Sequence, residues 1–95
     1  MQNKITKEKL ARYFKITETA LEKVQDKKVI AKSRKADAKE IIDMALNYVN
    51  DAHFFEKKLD FVNSFAALNY AHGWLDAGVR LGIFKIKDNK LFTIK

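Results

Sequence analysis

Along the first third of the chain, Leu10, Phe14, Thr17, Leu21 and Val24 follow one another in steps of four and three. That spacing keeps them on one stripe of a helix. Thr6 is placed to cap its start, with Lys7, Glu8 and Lys9 in the first turn. The stripe fades at Asp26-Lys27-Lys28, so the pattern predicts a helix over about 7–27. The connection falls on residues 28–33, which hold neither Gly nor Pro.

A second stripe follows. Ala38, Ile41, Ile42, Ala45, Tyr48, Val49, Ala52 and Phe55 predict a helix over about 34–57. Ala38, Ala45 and Ala52 recur every seven residues and form a seam that lets a partner helix approach closely. Asp43, Asn47 and Asn50 fall on the opposite, wet face. Asp60 caps a third helix over about 60–81, with Phe61, Phe65, Leu68, His72, Leu75 and Val79 on its apolar stripe. A turn this short makes the second and third helices antiparallel. Three helices of matched length, roughly 30–36 Å at about 1.5 Å per residue, suit an up-and-down bundle. Gly82 followed by Ile83 has the form of a helix C-cap with its hydrophobic partner.

Beyond Gly82 the period changes to two. Phe84, Ile86, Phe92 and Ile94 alternate with Lys85, Lys87, Thr93 and Lys95 around the turn residues Asp88-Asn89-Lys90. This predicts a short β-hairpin over about 84–94, laid by its apolar face on the bundle. The fold class is therefore all-α, a three-helix bundle with a C-terminal hairpin, in a single domain over residues 1–95.

Composition narrows the chemistry. With no Cys there is no disulfide, thiolate metal site or cysteine nucleophile. No apolar run approaches the roughly 20 residues of a membrane span and no signal peptide opens the chain, so the expectation is a cytoplasmic protein without a membrane partner. The net charge of +7 is unevenly distributed. Residues 1–35 carry 11 basic and 4 acidic residues, residues 36–84 carry 4 and 7, and residues 85–95 carry 4 and 1.

Four groups of residues invite a chemical reading. His72 lies within the apolar stripe of the third helix, with Asp76 four residues on and Arg80 four further, and Asn69 shares that flank. An imidazole oriented by a carboxylate suits general base catalysis. The bland reading is a histidine satisfied inside the fold, and no nucleophile stands nearby in sequence. Lys27, Lys28, Lys32, Arg34 and Lys35 place five basic residues within nine, a candidate anion-binding cluster that lacks interleaved aromatics. Tyr70, Trp74 and Leu81 lie roughly 100–160° round the helical wheel from Leu68 and Leu75. They form a candidate interface strip that the core seam does not absorb. Gly73 and Gly78 inside the third helix each cost about 1 kcal/mol relative to Ala, which implies a packing reason. Ala67, Ala71, Gly78 and Gly82 form a ridge of small residues. No metal site is expected, because two His and no Cys supply too few ligands, and no cofactor is implied.

The string Tyr70-Ala71-His72-Gly73-Trp74-Leu75-Asp76-Ala77-Gly78, within residues 60–78, resembles the signature of a family of short archaeal proteins, domain-of-unknown-function family 357. Tyr48, Asp51-Ala52, Phe55 and Arg80-Leu81-Gly82 fit the same pattern. The resemblance covers residues from about 40 to 84 well and the first helix loosely. It implies a left-handed up-and-down three-helix bundle and an archaeal, cytoplasmic source. It implies no activity.

Three functional readings follow. The first is a non-enzymatic interaction or structural module with a protein partner or a second copy of itself. The second is a nucleic-acid-associated protein using the basic N-terminal helix and the 27–35 cluster. The third is a small-ligand binder or enzyme centred on His72 and Asp76.

Overall fold

The computed structural model describes residues 4–92. α1 spans Lys7–Val24, α2 spans Lys35–Lys57 and α3 spans Phe61–Arg80. Two single-turn 3₁₀ helices, Lys27–Val29 and Lys32–Arg34, make the connection between α1 and α2.

Side-chain caps set the helix ends. The Thr6 hydroxyl accepts from the Lys9 N–H at 3.1 Å and opens α1. α1 closes at Val24 because Asp26 starts a new turn, its carboxylate accepting from the Lys28 N–H at 2.9 Å. Asp60 opens α3 by accepting from the Asn63 N–H at 3.1 Å. Gly82, at φ +75°, closes it. There the Ile83 N–H donates to the Gly78 carbonyl at 2.9 Å and the Gly82 N–H to Val79 at 3.1 Å, which is the Schellman pattern.

The α1 stripe is buried throughout, Leu10, Phe14, Thr17, Leu21 and Val24 all lying inside. Leu10 and Phe14 pack with Ala52, Ala67 and Leu68, whereas Leu21 and Val24 pack with Ala38, Ile41, Ala45 and Leu75. The N-terminal half of α1 therefore lies beside the end of α2 and the start of α3. The helices run up, down and up. Ala38, Ala45 and Ala52 on α2 and Ala67, Ala71 and Gly78 on α3 are buried, and these small residues let the two backbones approach. Fully buried Leu68 and Leu75 each contribute about 1.5–3 kcal/mol by leaving water.

The expected C-terminal hairpin is corrected by the structure. Among the described residues there is no strand, and Thr93 and Ile94 lie outside them. The extended backbone at Phe84 pairs instead with the α1–α2 connection, in an antiparallel bridge to Ile30. The Ala31 N–H donates to the Ile83 carbonyl at 2.9 Å and the Lys85 N–H to Val29 at 2.7 Å. The turn residues do a different job from the one expected. The Asp88 carboxylate accepts from the N–H groups of Lys90 and Leu91, and its carbonyl accepts from Phe92 at 3.0 Å. That tight turn carries Phe92 into the core rather than laying a second strand beside the first.

The glycines also divide. A Cβ on Gly78 would stand 2.5 Å from the Phe84 ring and 3.2 Å from Ile41 Cδ1, a true packing constraint. Gly73 faces open space, so the packing reason expected for it is absent. Gly82 belongs to the cap rather than to the ridge of small residues.

Candidate functional site

The middle of the bundle holds the most polar arrangement. His72, on α3, points between Thr17 of α1 and the C-terminal segment. Its Nε2 lies 2.6 Å from the Leu91 carbonyl and its Nδ1 lies 3.3 Å from the Thr17 hydroxyl. A carbonyl only accepts, so Nε2 carries the proton, and in the neutral ring Nδ1 accepts from the Thr17 hydroxyl. The Phe92 ring stacks against the imidazole at 6.3 Å. Asp76, one turn on, places Oδ1 3.7 Å from Nε2, beyond hydrogen-bond length and near enough to favour the N–H dipole. Both ring nitrogens are therefore committed to joining α1, α3 and the C-terminal segment at Leu91. Proton transfer to a substrate would first require one of those bonds to break.

The rest of the flank named with His72 is not gathered around it. Asn69 and Arg80 are exposed on α3. Two turns before His72 on α3, the hydroxyl of Ser64 is buried and donates to the Ala52 carbonyl at 2.7 Å. Among the described residues Thr17 and Ser64 are the buried polar side chains, and each has a partner within the fold.

A second histidine, missed as a constellation by the sequence reading, sits in a groove between α1 and α2. His53 stacks on Phe14 at 4.4 Å. Its Nε2 lies 3.2 Å from Glu18 and its Nδ1 3.5 Å from Glu56. Lys15 and Glu22 complete the groove. The spacing of His53 and Glu56 at i,i+3 was the available signal; Glu18, 35 residues away, gave none. Among the described residues no group of three or more His, Cys, Asp or Glu is arranged to hold a metal ion.

The basic residues lie elsewhere. Lys27 and Lys28 are in the first 3₁₀ turn, Lys32 and Arg34 in the second, and Lys35 begins α2. All but Arg34 are exposed, and Arg34 Nε pairs with Asp37 at 2.8 Å. Charge pairing shifts two groups. The hydrogen bond from Lys23 at 2.8 Å, aided by the Lys90 N–H, holds the Asp88 carboxyl below its ordinary value. The hydrogen bond to Asp43 raises Lys39.

Tyr70 and Trp74 stand on the outer face of α3 and Leu81 at its C-cap, 63%, 39% and 64% exposed. Tyr48 of α2 stacks on Tyr70 at 5.3 Å and braces it. Bare Gly73 and small Ala77 lie between the larger residues, leaving a shallow depression edged by Asn69, Tyr70 and Trp74. No helix among the described residues is long and apolar enough to cross a membrane.

These features define a small all-α protein, three helices closed by a short C-terminal strap, with polar groups that stitch the fold and a face that the fold leaves uncovered. Residues 12–84 match the family described as protein of unknown function (DUF357), and the chain belongs to that family. No curated protein and no solved structure matches the chain.

Proposed function

We propose that the chain is a non-enzymatic interaction module that presents the outer face of α3 to another protein chain, most simply a second copy of itself in a twofold dimer. The observation that carries this reading is the uncovered strip of Tyr70, Trp74 and Leu81. Residues of this kind contribute large contact area at low rotamer cost, and interface cores favour them. The depression beside Gly73 gives a facing side chain somewhere to sit. A strip that meets its own copy about a twofold axis needs no second kind of surface. The engagement of both His72 nitrogens weighs against an active site there.

Sedimentation at micromolar concentration tests the proposal. The parent chain is expected to run as a dimer, and Trp74→Glu as a folded monomer. A parent chain that runs as a monomer at that concentration overturns the dimer.

A further inference from the structure

The two basic ends of the sequence meet in space. The pairing of Val29–Ala31 with Ile83–Lys85 brings the α1–α2 connection against the chain leaving α3. The Lys23–Asp88 ion pair ties the last turn of α1 to the same segment. Residues 23–37 and 80–92 thus share one end of the bundle. They hold ten basic and three acidic residues, a balance of +7 that equals the net charge of the whole chain. The remaining nine basic and nine acidic residues cancel.

The three carboxylates of this end are committed locally. Asp26 caps a turn, Asp37 pairs with Arg34, and Asp88 pairs with Lys23. Seven further lysines, at positions 27, 28, 32, 35, 85, 87 and 90, are exposed. The cluster visible in sequence is therefore half of a larger surface. The N-terminal helix contributes little to it, since from Lys7 to Glu22 α1 carries four basic and three acidic residues.

We infer that this composite pole binds the phosphate backbone of double-stranded nucleic acid without sequence preference. Its chemistry favours that partner over other polyanions. Leu81 is the only large apolar residue exposed among the described residues of this end. A single strand is held by aromatic stacking, and the pole offers none. An interfacial membrane anchor needs an apolar face to insert, and beside its basic residues the pole exposes the single large apolar side chain of Leu81 among its described residues. Lysine without aromatics suits phosphates presented along a duplex, whose charges recur about every 1.7 Å of axis. The bundle's narrower dimensions of 24 and 18 Å let its end lie along about one half-turn of such a duplex.

Fluorescence anisotropy of the full chain on a labelled 20-base-pair duplex of arbitrary sequence, in DNA and RNA forms, tests this. Binding is expected at 50 mM NaCl. Contact with about five phosphates predicts a roughly 500-fold loss of affinity between 50 and 200 mM salt. The pair Lys27→Glu with Lys28→Glu and the pair Lys85→Glu with Lys87→Glu are each expected to weaken binding at least tenfold. Lys57→Glu with Lys58→Glu, at the opposite end, is expected to leave it unchanged. If the Lys85 and Lys87 pair melts earlier than the parent by circular dichroism, Lys87→Glu with Lys90→Glu replaces it. No duplex binding at 50 mM NaCl overturns the inference, as does binding that ignores salt. It fails equally if the C-terminal lysines prove silent, or if anionic phospholipid vesicles bind and the duplex does not.

Discussion

The Phe84 ring occupies the space that Gly78 leaves by having no side chain. A Cβ at position 78 would meet ring carbons at 2.5 and 2.6 Å, and Phe84 is itself only 1% exposed. The same glycine offers its carbonyl to the N–H groups of Ile83 and Phe84. One residue of α3 thus sets both where the helix ends and where the next apolar side chain goes.

Gly78→Ala is therefore expected to destabilise the chain. Helix propensity alone would favour alanine by about 1 kcal/mol. Overpacking against a buried ring costs about 1–3 kcal/mol, and the bridge to Ile30 leaves Phe84 little room to shift. A net loss of up to about 2 kcal/mol in urea unfolding is expected. Gly73→Ala meets nothing and is expected to gain about 0.5–1 kcal/mol by the same propensity. Equal effects at the two positions would refute the packing account.

His72 gives the second prediction. His72→Ala removes a ring that holds Thr17 on one side and Leu91 on the other. The loss is expected to be about 1–3 kcal/mol from unpaired groups and a small cavity. It should appear first as faster hydrogen exchange in residues 88–92, because the strap depends on that bond more than the helices do. A variant as stable as the parent, with residues 88–92 equally protected, would show that the imidazole is spare and return attention to it as a chemical group.

What the chain's pattern disclosed, and what it hid, divides by distance along the sequence. The helices were legible because a 3.6-residue period is a local signal, written in residues three and four apart such as Leu68, His72 and Leu75. The alternation after Gly82 was equally local and indicated extended backbone. It carried no information about what Phe84 would pair with, and Ile30, 54 positions earlier, looked like loop. The failure of the hairpin is a failure of pairing rather than of period. At the site, Asp76 was within reach by helical spacing. Thr17 and Leu91, at separations of 55 and 19 residues, were not. The basic pole was hidden in the same way, since its halves meet through the Ile30–Phe84 bridge and the Lys23–Asp88 pair, both distant in sequence.

Acid should loosen the strap selectively. The Lys23 hydrogen bond and the Lys90 N–H hold Asp88 below the ordinary value of 3.8. A carboxyl lowered in the folded state stabilises it fully above the unfolded value, and that contribution disappears as pH falls through the lower folded value. Amide exchange across residues 88–92 is therefore expected to rise below about pH 3.8 while the helices persist. Asp88→Asn should show the looser strap at neutral pH and no acid step. An acid step of unchanged size in Asp88→Asn would assign it to another group.

Leu59 gives the last prediction. It sits at φ +61° and is 76% exposed, in the short turn between α2 and α3. The Asp60 N–H donates to the Phe55 carbonyl and the Leu59 N–H to Glu56, both at 2.9 Å, so α2 ends in the same Schellman pattern as α3. Glycine holds the left-handed position at the end of α3, and leucine holds it here. The left-handed conformation costs an L-residue about 1–2 kcal/mol. Glycine would remove that cost and give back about 0.5–1 kcal/mol in the entropy of the unfolded chain. Leu59→Gly is thus expected to stabilise the monomer by about 0.5–1 kcal/mol, and Gly82→Ala to destabilise it by about 1 kcal/mol, read from urea midpoints at constant slope. A stability loss for Leu59→Gly that grows with protein concentration would mean that a second copy covers the leucine in solution, and that the self-association surface includes this turn as well as the outer face of α3.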